Sequence, residues 1–337
     1  MLRPLGALLA IAIGGCSLRG IADGIRDGGP GITEAGVDGG SPDGAGADGG
    51  CTAATCKPIP LVTGEVAGSL ATNGTTVAWA TSRHVATCAT KGCDAARNLT
   101  SDHDLTGFMA LEGETLWYTT GPTANHGVEI CSLPDCADDR ALAYDIGAPR
   151  AVAVDQGNAY VLEVDGKRIL HCVTGCDDIA SGITPTGAVA VSAASVFFST
   201  SGANGAVYTC LRTGCAGAPT PLASAQANPR ALAVDRGAVY WTTYDDGTVM
   251  SCALGGCAGG ATELARAQGN PLGIASDGER VYWANEGVGT VVSCDVRGCG
   301  GAPTVLAKDL DRPQWVAVDA HDVYFSTAAG TIFRLPK

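Results

Sequence analysis

The sequence lacks an excess of basic residues. It contains 21 Lys and Arg against 34 Asp and Glu, giving a formal net charge of −13 at pH 7, and only 16% of its residues are charged. Proteins that bind a phosphate backbone carry a patch or stripe of positive charge, and no such stripe is found here. Nucleic acid is therefore not an expected partner, whereas the acidic charge favours solubility.

The sequence also lacks the short motifs that mark common active sites. It has no nucleophile elbow of the Gly-x-Ser-x-Gly type, no His-Glu-x-x-His zinc helix and no phosphate-binding glycine loop. We therefore predict no catalytic residue, no bound metal and no cofactor.

The N-terminal hydrophobic run is too short to cross a bilayer. Arg3 precedes an apolar stretch of nine residues from Leu5 to Ile13, which fits a secretory signal rather than a membrane span. The segment Ile13–Cys16 resembles the bacterial lipobox, in which the cysteine is lipidated and becomes the new N-terminus. The alternative is an ordinary signal peptide with a chance cysteine at its end. The resemblance implies a lipoprotein signal over residues 1–15, and Ser17 after the cysteine implies sorting to the outer membrane.

Residues 17–50 have the composition of a flexible tether. They contain twelve glycines and six acidic residues but no aromatic residue, so they cannot bury enough apolar surface to offset the entropy of ordering. A chain of this length reaches about 30 Å on average. Asp-Gly steps also occur in calcium loops, but the alternating acidic residues and closing Glu of such loops are absent. We predict a lipidated Cys16 followed by an acidic tether over residues 16–50.

Fourteen of the fifteen cysteines form a repeating pattern in the rest of the chain. Successive pairs begin 37, 43, 41, 38, 42 and 42 residues apart, a period typical of propeller blades. In an exported chain such pairs indicate disulfides rather than zinc sites, and the five histidines are not in register with them. The predicted disulfides are Cys51–Cys56, Cys88–Cys93, Cys131–Cys136, Cys172–Cys176, Cys210–Cys215, Cys252–Cys257 and Cys294–Cys299.

Each repeat reads as a four-stranded antiparallel meander. The clearest unit has four short apolar or alternating runs separated by Gly, Asp or Pro, which predict strands. A second strand of the same type occurs seven times. We therefore predict an all-β, seven-bladed β-propeller over residues 51–337. Its ring is closed by the N-terminal strand Lys57–Val62, which joins the C-terminal strand Thr331–Leu335. In the clearest unit the predicted strands are Arg230–Val234, Val239–Thr243, Thr248–Cys252 and Thr262–Ala265.

Two segments resemble the YWTD/NHL class of propellers. Pro229–Thr243 and Pro271–Asn285 both follow the pattern Pro-x-x-Leu/Ile-Ala-x-Asp and then Val-Tyr-Trp-Thr/Ala. The resemblance covers the seven units and implies an extracytoplasmic propeller. The chain departs from the class in its count of seven blades rather than six, and in the residue after Tyr-Trp-Thr. The cysteine-bridged repeats resemble those of bacterial cell-surface lipoproteins.

The repeated aromatic residues permit two interpretations, a binding platform or core packing. Core packing is the stronger one, because adjacent blades pack face to face. Binding residues are instead expected in the loops around the central channel, where sites on propellers gather. The aromatic residues are Trp79, Trp117, Trp241, Trp283 and Phe325, and the loop candidates are Asp102, His103, Asp104, His126, Asp245, Glu286, Asp311 and Arg312.

Three functions remain open from the sequence. We favour a monomeric, surface-anchored binding or scaffold module that recognises protein or glycan through its loops and touches the membrane only through its lipid. The second possibility is an enzyme, similar in architecture to streptogramin lyases or calcium-dependent lactonases, with His and carboxylates from several blades at the channel mouth. The third is a structural role in an envelope or coat. Fold alone does not decide between them.

Overall fold

The computed structural model describes residues 57–100, 105–121, 127–215, 218–257 and 259–337. These residues form seven sheets of four antiparallel strands, each sheet being one blade. The prediction of a seven-bladed propeller is thus confirmed. No helix in the described ranges is long and apolar enough to cross a membrane.

The first four blades follow the chain order without interruption. Blade 1 consists of β2 (Ser69–Thr72), β3 (Thr76–Ala80), β4 (Val85–Ala89) and β5 (Gly92–Asn98). Blade 2 consists of β6 (Leu105–Glu112), β7 (Thr115–Thr120), β8 (Gly127–Ser132) and β9 (Arg140–Ala143). Blade 3 consists of β10 (Pro149–Asp155), β11 (Asn158–Glu163), β12 (Arg168–Cys172) and β13 (Cys176–Ser181). Blade 4 consists of β14 (Val189–Val191), β15 (Ser195–Thr200), β16 (Gly205–Leu211) and β17 (Thr220–Gln226).

The last blade draws strands from both ends of the chain. Blade 5 consists of β18 (Pro229–Val234), β19 (Ala238–Thr243), β20 (Thr248–Ala253) and β21 (Thr262–Ala265). Blade 6 consists of β22 (Pro271–Ser276), β23 (Arg280–Asn285), β24 (Thr290–Asp295) and β25 (Thr304–Ala307). Blade 7 consists of β26 (Pro313–Val318), β27 (Asp322–Thr327), β28 (Thr331–Pro336) and, as its outer strand, β1 (Ile59–Thr63).

The ring closes as the sequence predicted. Strand β1 pairs antiparallel with β28, with Ile59 opposite Arg334 and Thr63 opposite Thr331. The first strands β2 and β26 also contact each other, as do all other neighbouring first strands. Closure satisfies strand edges that would otherwise be open to pairing with another chain.

The Val-Tyr-Trp pattern reflects burial on both faces of each blade. Successive side chains of a strand point to opposite faces, so Tyr240 packs with Trp283 of blade 6 while Trp241 packs with Phe197 of blade 4. All five repeated aromatic side chains are at most 3% exposed. Their interpretation as core residues rather than a binding platform is confirmed.

Aspartates at the end of several first strands hold the following hairpin. Oδ1 of Asp235 accepts the backbone N–H groups of Gly237 and Ala238 over 2.8 and 3.0 Å. Asp277 and Asp319 bind their own turns in the same way. A short carboxylate that accepts two turn N–H groups is a local device that fixes the hairpin.

Five of the predicted disulfides are present. They join Cys131–Cys136, Cys172–Cys176, Cys210–Cys215, Cys252–Cys257 and Cys294–Cys299, with Cα–Cα distances from 4.1 to 5.4 Å. Each bridges the hairpin between the third and fourth strands. Bridges of this kind form and persist in oxidising compartments, which indicates an exported protein. Cys16 and the pair Cys51–Cys56 lie outside the described residues.

The predicted bridge between Cys88 and Cys93 is not formed, and this expectation is corrected. Cys88 is a buried thiol, whose pKa is raised by burial and by its hydrogen bond with Cys93. Ala89 pairs with Gly92, but the register then shifts by the next pair, Thr87 with Arg97. The ladder is therefore irregular where the two cysteines lie.

Candidate functional site

Two kinds of loop meet on one face of the ring, which we call the loop face. These are the inter-blade connections and the loops between the second and third strands. The backbone N–H of Tyr244, from the second kind, donates to the carbonyl of Asn228, from the first, over 3.1 Å. The disulfide-bridged hairpins lie on the opposite face, which we call the hairpin face. The same loop bond recurs from Val164 to Ala148, from Glu286 to Asn270 and from Ala328 to Arg312.

The central channel opens on the loop face in a pocket of about 230 Å³, which we call the channel mouth. Its lining comes from the starts of first strands and from the loops beside them, so six blades contribute to it. The lining residues are Phe108, Arg150, Thr186, Gly187, Arg230, Tyr244, Leu272, Glu286 and Trp315.

An apolar shaft lies below the channel mouth. It is a narrower cavity of about 90 Å³ that shares Phe108 and Trp315 with the mouth. These two rings meet edge to face, with centroids 6.5 Å apart. Apart from Ser69 and Arg230, the remaining wall is mainly aliphatic, with Leu70, Met109, Val152, Val189, Leu232, Ile274 and Val316.

Bulges at the starts of first strands deliver the two arginines to the mouth. In β18 the register shifts between Pro229 and Leu232, so Arg230 is outside the regular ladder. In β10 the register shifts between Pro149 and Ala151, which does the same for Arg150. A bulge re-aims the side chain of the extra residue. The position after the proline is thus the mouth-lining position in these blades.

A chain of side chains crosses the mouth from Arg230 to Gln314. The guanidinium carbon of Arg230 lies over the Tyr244 ring, 5.2 Å from its centroid, in a cation–π arrangement. The Tyr244 hydroxyl donates to Oε2 of Glu286 over 2.8 Å, and Nε2 of Gln314 donates to Oε1 over 3.2 Å. Glu286 therefore has both oxygens occupied by neutral donors. The hydrogen bond to Glu286 and the burial of the ring raise the pKa of the Tyr244 hydroxyl, so the hydroxyl keeps its proton.

Both arginines retain unused donors. Nε of Arg230 is buried and has no hydrogen-bond partner within the described part of the chain. Arg150 is exposed, and no described residue forms an ion pair with it. An arginine offers five N–H donors, so the mouth presents positive, unsatisfied hydrogen-bonding groups above an apolar floor.

The loop residues predicted from the sequence fall in different places. Glu286 lines the channel mouth. Asp245 is exposed next to Tyr244 and accepts Nδ2 of Asn228 over 3.2 Å. Asp311 and Arg312 form an exposed ion pair of 3.7 Å on the loop face and do not line the mouth. The other candidates, Asp102, His103, Asp104 and His126, lie outside the described residues.

Sequence reasoning missed most of the mouth. It searched the loops for acidic and histidine residues, whereas the lining includes Arg150 and Arg230 at strand starts and Phe108 and Trp315 within first strands. The available signal was the repeated proline at the start of the first strand, because the residue after it is Arg in two blades. Tyr244 carried no separate signal beyond its loop position.

The described lining of the mouth combines charged, aromatic and aliphatic groups. Within the described ranges, the lining includes one carboxylate and no histidine, and no group of three His, Cys, Asp or Glu side chains is placed to hold a metal ion. Charged, aromatic and aliphatic groups converge there instead, as in sites that bind a group by contact.

Comparison with known proteins shows the fold only. No family model and no curated protein sequence matches the chain. The structure is similar to virginiamycin B lyase from Staphylococcus aureus, with a TM-score of 0.66 and 13% identity over 84% of this chain and 99% of that one. It is also similar to the WD40 β-propeller domain of Doa1, with a TM-score of 0.65 and 12% identity over 84% and 97%. A chain of the nidogen/laminin complex matches with a TM-score of 0.53 and 14% identity over 65% and 89%.

Proposed function

We propose that this protein is an exported, lipid-anchored recognition module that binds a partner protein through its loop face. The observation that carries the proposal is the channel mouth, where Arg230, Tyr244 and Trp315 converge. Arg, Tyr and Trp are the residue types that contribute most to binding energy at protein interfaces. Tyr144, on an inter-blade loop of the same face, is 62% exposed and extends the aromatic surface outward.

A binding role fits this mouth better than catalysis. An enzyme of the lyase or lactonase type would need histidine and carboxylate groups from several blades around one substrate atom. Among the described lining residues Glu286 is the one acid, and its two oxygens are already bound by Tyr244 and Gln314. The volume of about 230 Å³ is also below the range of about 300–1,000 Å³ usual for small-molecule sites.

The loop face can be tested by site-specific crosslinking in the native envelope. A photo-reactive amino acid would replace Tyr144 on the loop face and, in a matched chain, Leu211 on the hairpin face, since their exposures are 62% and 61%. We expect an adduct of defined mass from Tyr144 that the unlabelled full chain displaces. Equal adducts from both positions, or none from Tyr144, would contradict recognition through the loop face.

The anchor is part of the proposal and rests on the lipobox-like segment before Cys16. With its cysteine lipidated, a tether of this length would hold the propeller about 30 Å from the membrane surface, which leaves the loop face accessible. Replacing Cys16 by Ser should release the protein from the membrane fraction, and mass spectrometry of the N-terminal peptide should show the lipid. Membrane retention of the Ser variant would contradict the anchor without affecting the loop-face experiment.

A further inference from the structure

We propose that the channel mouth binds a carboxylate, held by Arg150 and Arg230, and that the partner supplies it as an acidic side chain. This inference rests on the proposed function, because it names the group that the loop face recognises. Three observations support it. The arginines have unused N–H donors, Glu286 is bound by neutral groups rather than by an arginine, and apolar side chains lie below the mouth.

The first step concerns Arg230. Its Nε is buried and has no acceptor among the described residues, although burying an unsatisfied donor of a charged group costs free energy. The guanidinium carbon lies over the Tyr244 ring, 5.2 Å from its centroid, but an aromatic ring does not replace the oxygen acceptor that Nε–H lacks. An acceptor that enters the mouth would satisfy it.

The second step concerns the acid that would otherwise compete. Glu286 lies in the same mouth, yet it forms no ion pair with Arg230 and is bound by the Tyr244 hydroxyl and by Gln314. Tyr244 thus lies between the cation on its ring face and the anion at its hydroxyl. The arrangement keeps the guanidinium available for an incoming anion.

The third step concerns charge. The whole chain carries a formal charge of −13, but the described lining of the mouth has two arginines and one glutamate. Two arginines against one glutamate give the described lining a local positive charge, which attracts an anion that reaches it. Arginine is suited to carboxylate because its planar fork donates two parallel hydrogen bonds.

The fourth step concerns the group that bears the carboxylate. Below the arginines lie the edge-to-face pair Phe108–Trp315 and the side chain of Leu272. These groups contact an apolar stem and exclude water, which strengthens the ion pair above them. A mouth of about 230 Å³ accommodates one side chain and its neighbours rather than a folded domain, so a glutamate or aspartate on a protruding loop fits it.

The test uses short peptides as probes with the full chain. The probes are acetyl-Gly-Glu-Gly-amide, its uncharged analogue with Gln, and acetyl-triglycine with a free C-terminal carboxylate. Binding is followed by heteronuclear NMR at the Nε–H signal of Arg230, assigned with the R230Q variant. We expect the Glu peptide to shift this signal and to bind at least about tenfold more tightly than the Gln peptide. Stronger binding of the C-terminal carboxylate would keep the carboxylate but overturn the side-chain source.

Variants separate a built site from general electrostatics. R150Q and R230Q should each weaken binding of the Glu peptide by about tenfold, and R230K should retain part of it because it keeps the charge without the fork. R236Q is the matched control, since Arg236 is exposed at a first-to-second-strand turn on the hairpin face. Equal weakening by R236Q, or no shift with the Glu peptide, overturns the inference. Thermal unfolding of each variant verifies that it is folded.

The two proposals can fail separately. Crosslinking from Tyr144 that persists in R150Q and R230Q leaves partner recognition intact and removes the carboxylate clamp. Peptide binding at the mouth without any crosslinked partner leaves the clamp intact and removes the partner protein.

Discussion

The guanidinium of Arg212 in blade 4 pairs with the carboxylate of Asp155 in blade 3 and joins the two blades at the hairpin face. Asp155 is fully buried, and its Oδ1 has no hydrogen-bond partner in the described residues. The N–H of Gly157, which is equivalent to the first turn N–H that the aspartate binds in other blades, is bound instead by Glu112 of blade 2, as is the N–H of Gln156. The buried negative charge of Asp155 is therefore compensated by the guanidinium of Arg212.

Replacing Arg212 by Gln should destabilise the protein by about 3 kcal/mol at neutral pH, because it leaves a buried carboxylate unpaired. Burial raises the pKa of Asp155, and Arg212 opposes that rise. Without Arg212 the native state takes up a proton on Asp155 before the unfolded chain does, so the loss should shrink as pH falls from about 7 to about 5. Chemical denaturation at several pH values measures this.

Arg266 provides the control for that experiment. It forms an ion pair with Glu263, but its own side chain is 77% exposed, and exposed pairs contribute little. The R266Q variant should stay within about 0.5 kcal/mol of the parent at every pH. A loss in R212Q that does not depend on pH would contradict the role given to Asp155.

Lys337 should also stabilise the closed ring, and its contribution should likewise be lost as pH falls. Its ammonium contacts Asp277 of blade 6 and the carbonyl of Asp319. Burial tends to raise the pKa of Asp277, but Lys337 and two backbone N–H groups lower it overall. The stabilisation is thus present above the unfolded-state pKa and is lost as pH falls through the lower folded-state value.

The variant K337M should therefore lose about 2 kcal/mol at neutral pH. The difference from the parent should decrease below about pH 4, where the carboxylate of Asp277 becomes protonated in both states. Lys308 is exposed, so the K308M variant should have the same free energy of unfolding as the parent. A K337M curve that parallels the parent at neutral pH would show that the C-terminal contact does not stabilise the ring.

The fold was predictable because its signals are local and repeated. Each blade carries its own turn residues, its Val-Tyr-Trp type of strand and its cysteine pair, so seven weak signals reinforce one another. The observed strands of blade 5, such as Ala238–Thr243, differ from the predicted ones by at most one residue at each end. The exception is Cys88 and Cys93, which have the same spacing as the bridged pairs Cys131–Cys136 and Cys210–Cys215 but remain thiols.

The site was predictable only in part because it is assembled from separate blades. Glu286 was recognised as a loop acid, but Arg150 and Arg230 are separated by 80 positions in the sequence and meet only through the ring. The direction of their side chains into the mouth depends on strand bulges, and these bulges have no recognisable sequence signature. The same limit applies to the neutral partners of Glu286, which come from blades 5 and 7.

Arg312 offers a test of whether a predicted binding residue is instead structural. It precedes Pro313 with φ of 46°, and its carbonyl accepts the N–H of Ala328. Asn228 and Asn270 occupy the same position before proline in blades 5 and 6, with φ of 59° and 53°. Asparagine tolerates this left-handed conformation better than arginine.

The variant R312N should therefore be more stable than the parent by about 0.5 kcal/mol, since the exposed ion pair it removes contributes little. The variant N270A should be less stable, because it loses a residue suited to the left-handed region and a hydrogen bond to the carbonyl of Tyr244. Thermal unfolding compares the two. Loss of the Tyr144 crosslink in R312N would instead assign Arg312 to the recognition surface.

Tyr244 should control how strongly the channel mouth binds an acidic probe. In the variant Y244F the ring still supports Arg230, but Glu286 loses the hydroxyl that holds its Oε2 at 2.8 Å. A carboxylate freed from this donor competes for the guanidinium, so the Glu peptide should bind about three- to tenfold more weakly. The double variant Y244F/E286Q removes the competitor and should restore binding. Tyr208, which stacks on Phe198 in blade 4, supplies the control Y208F, for which we expect no change. Weak binding that persists in the double variant would mean that the Tyr244 hydroxyl acts on the probe itself rather than through Glu286.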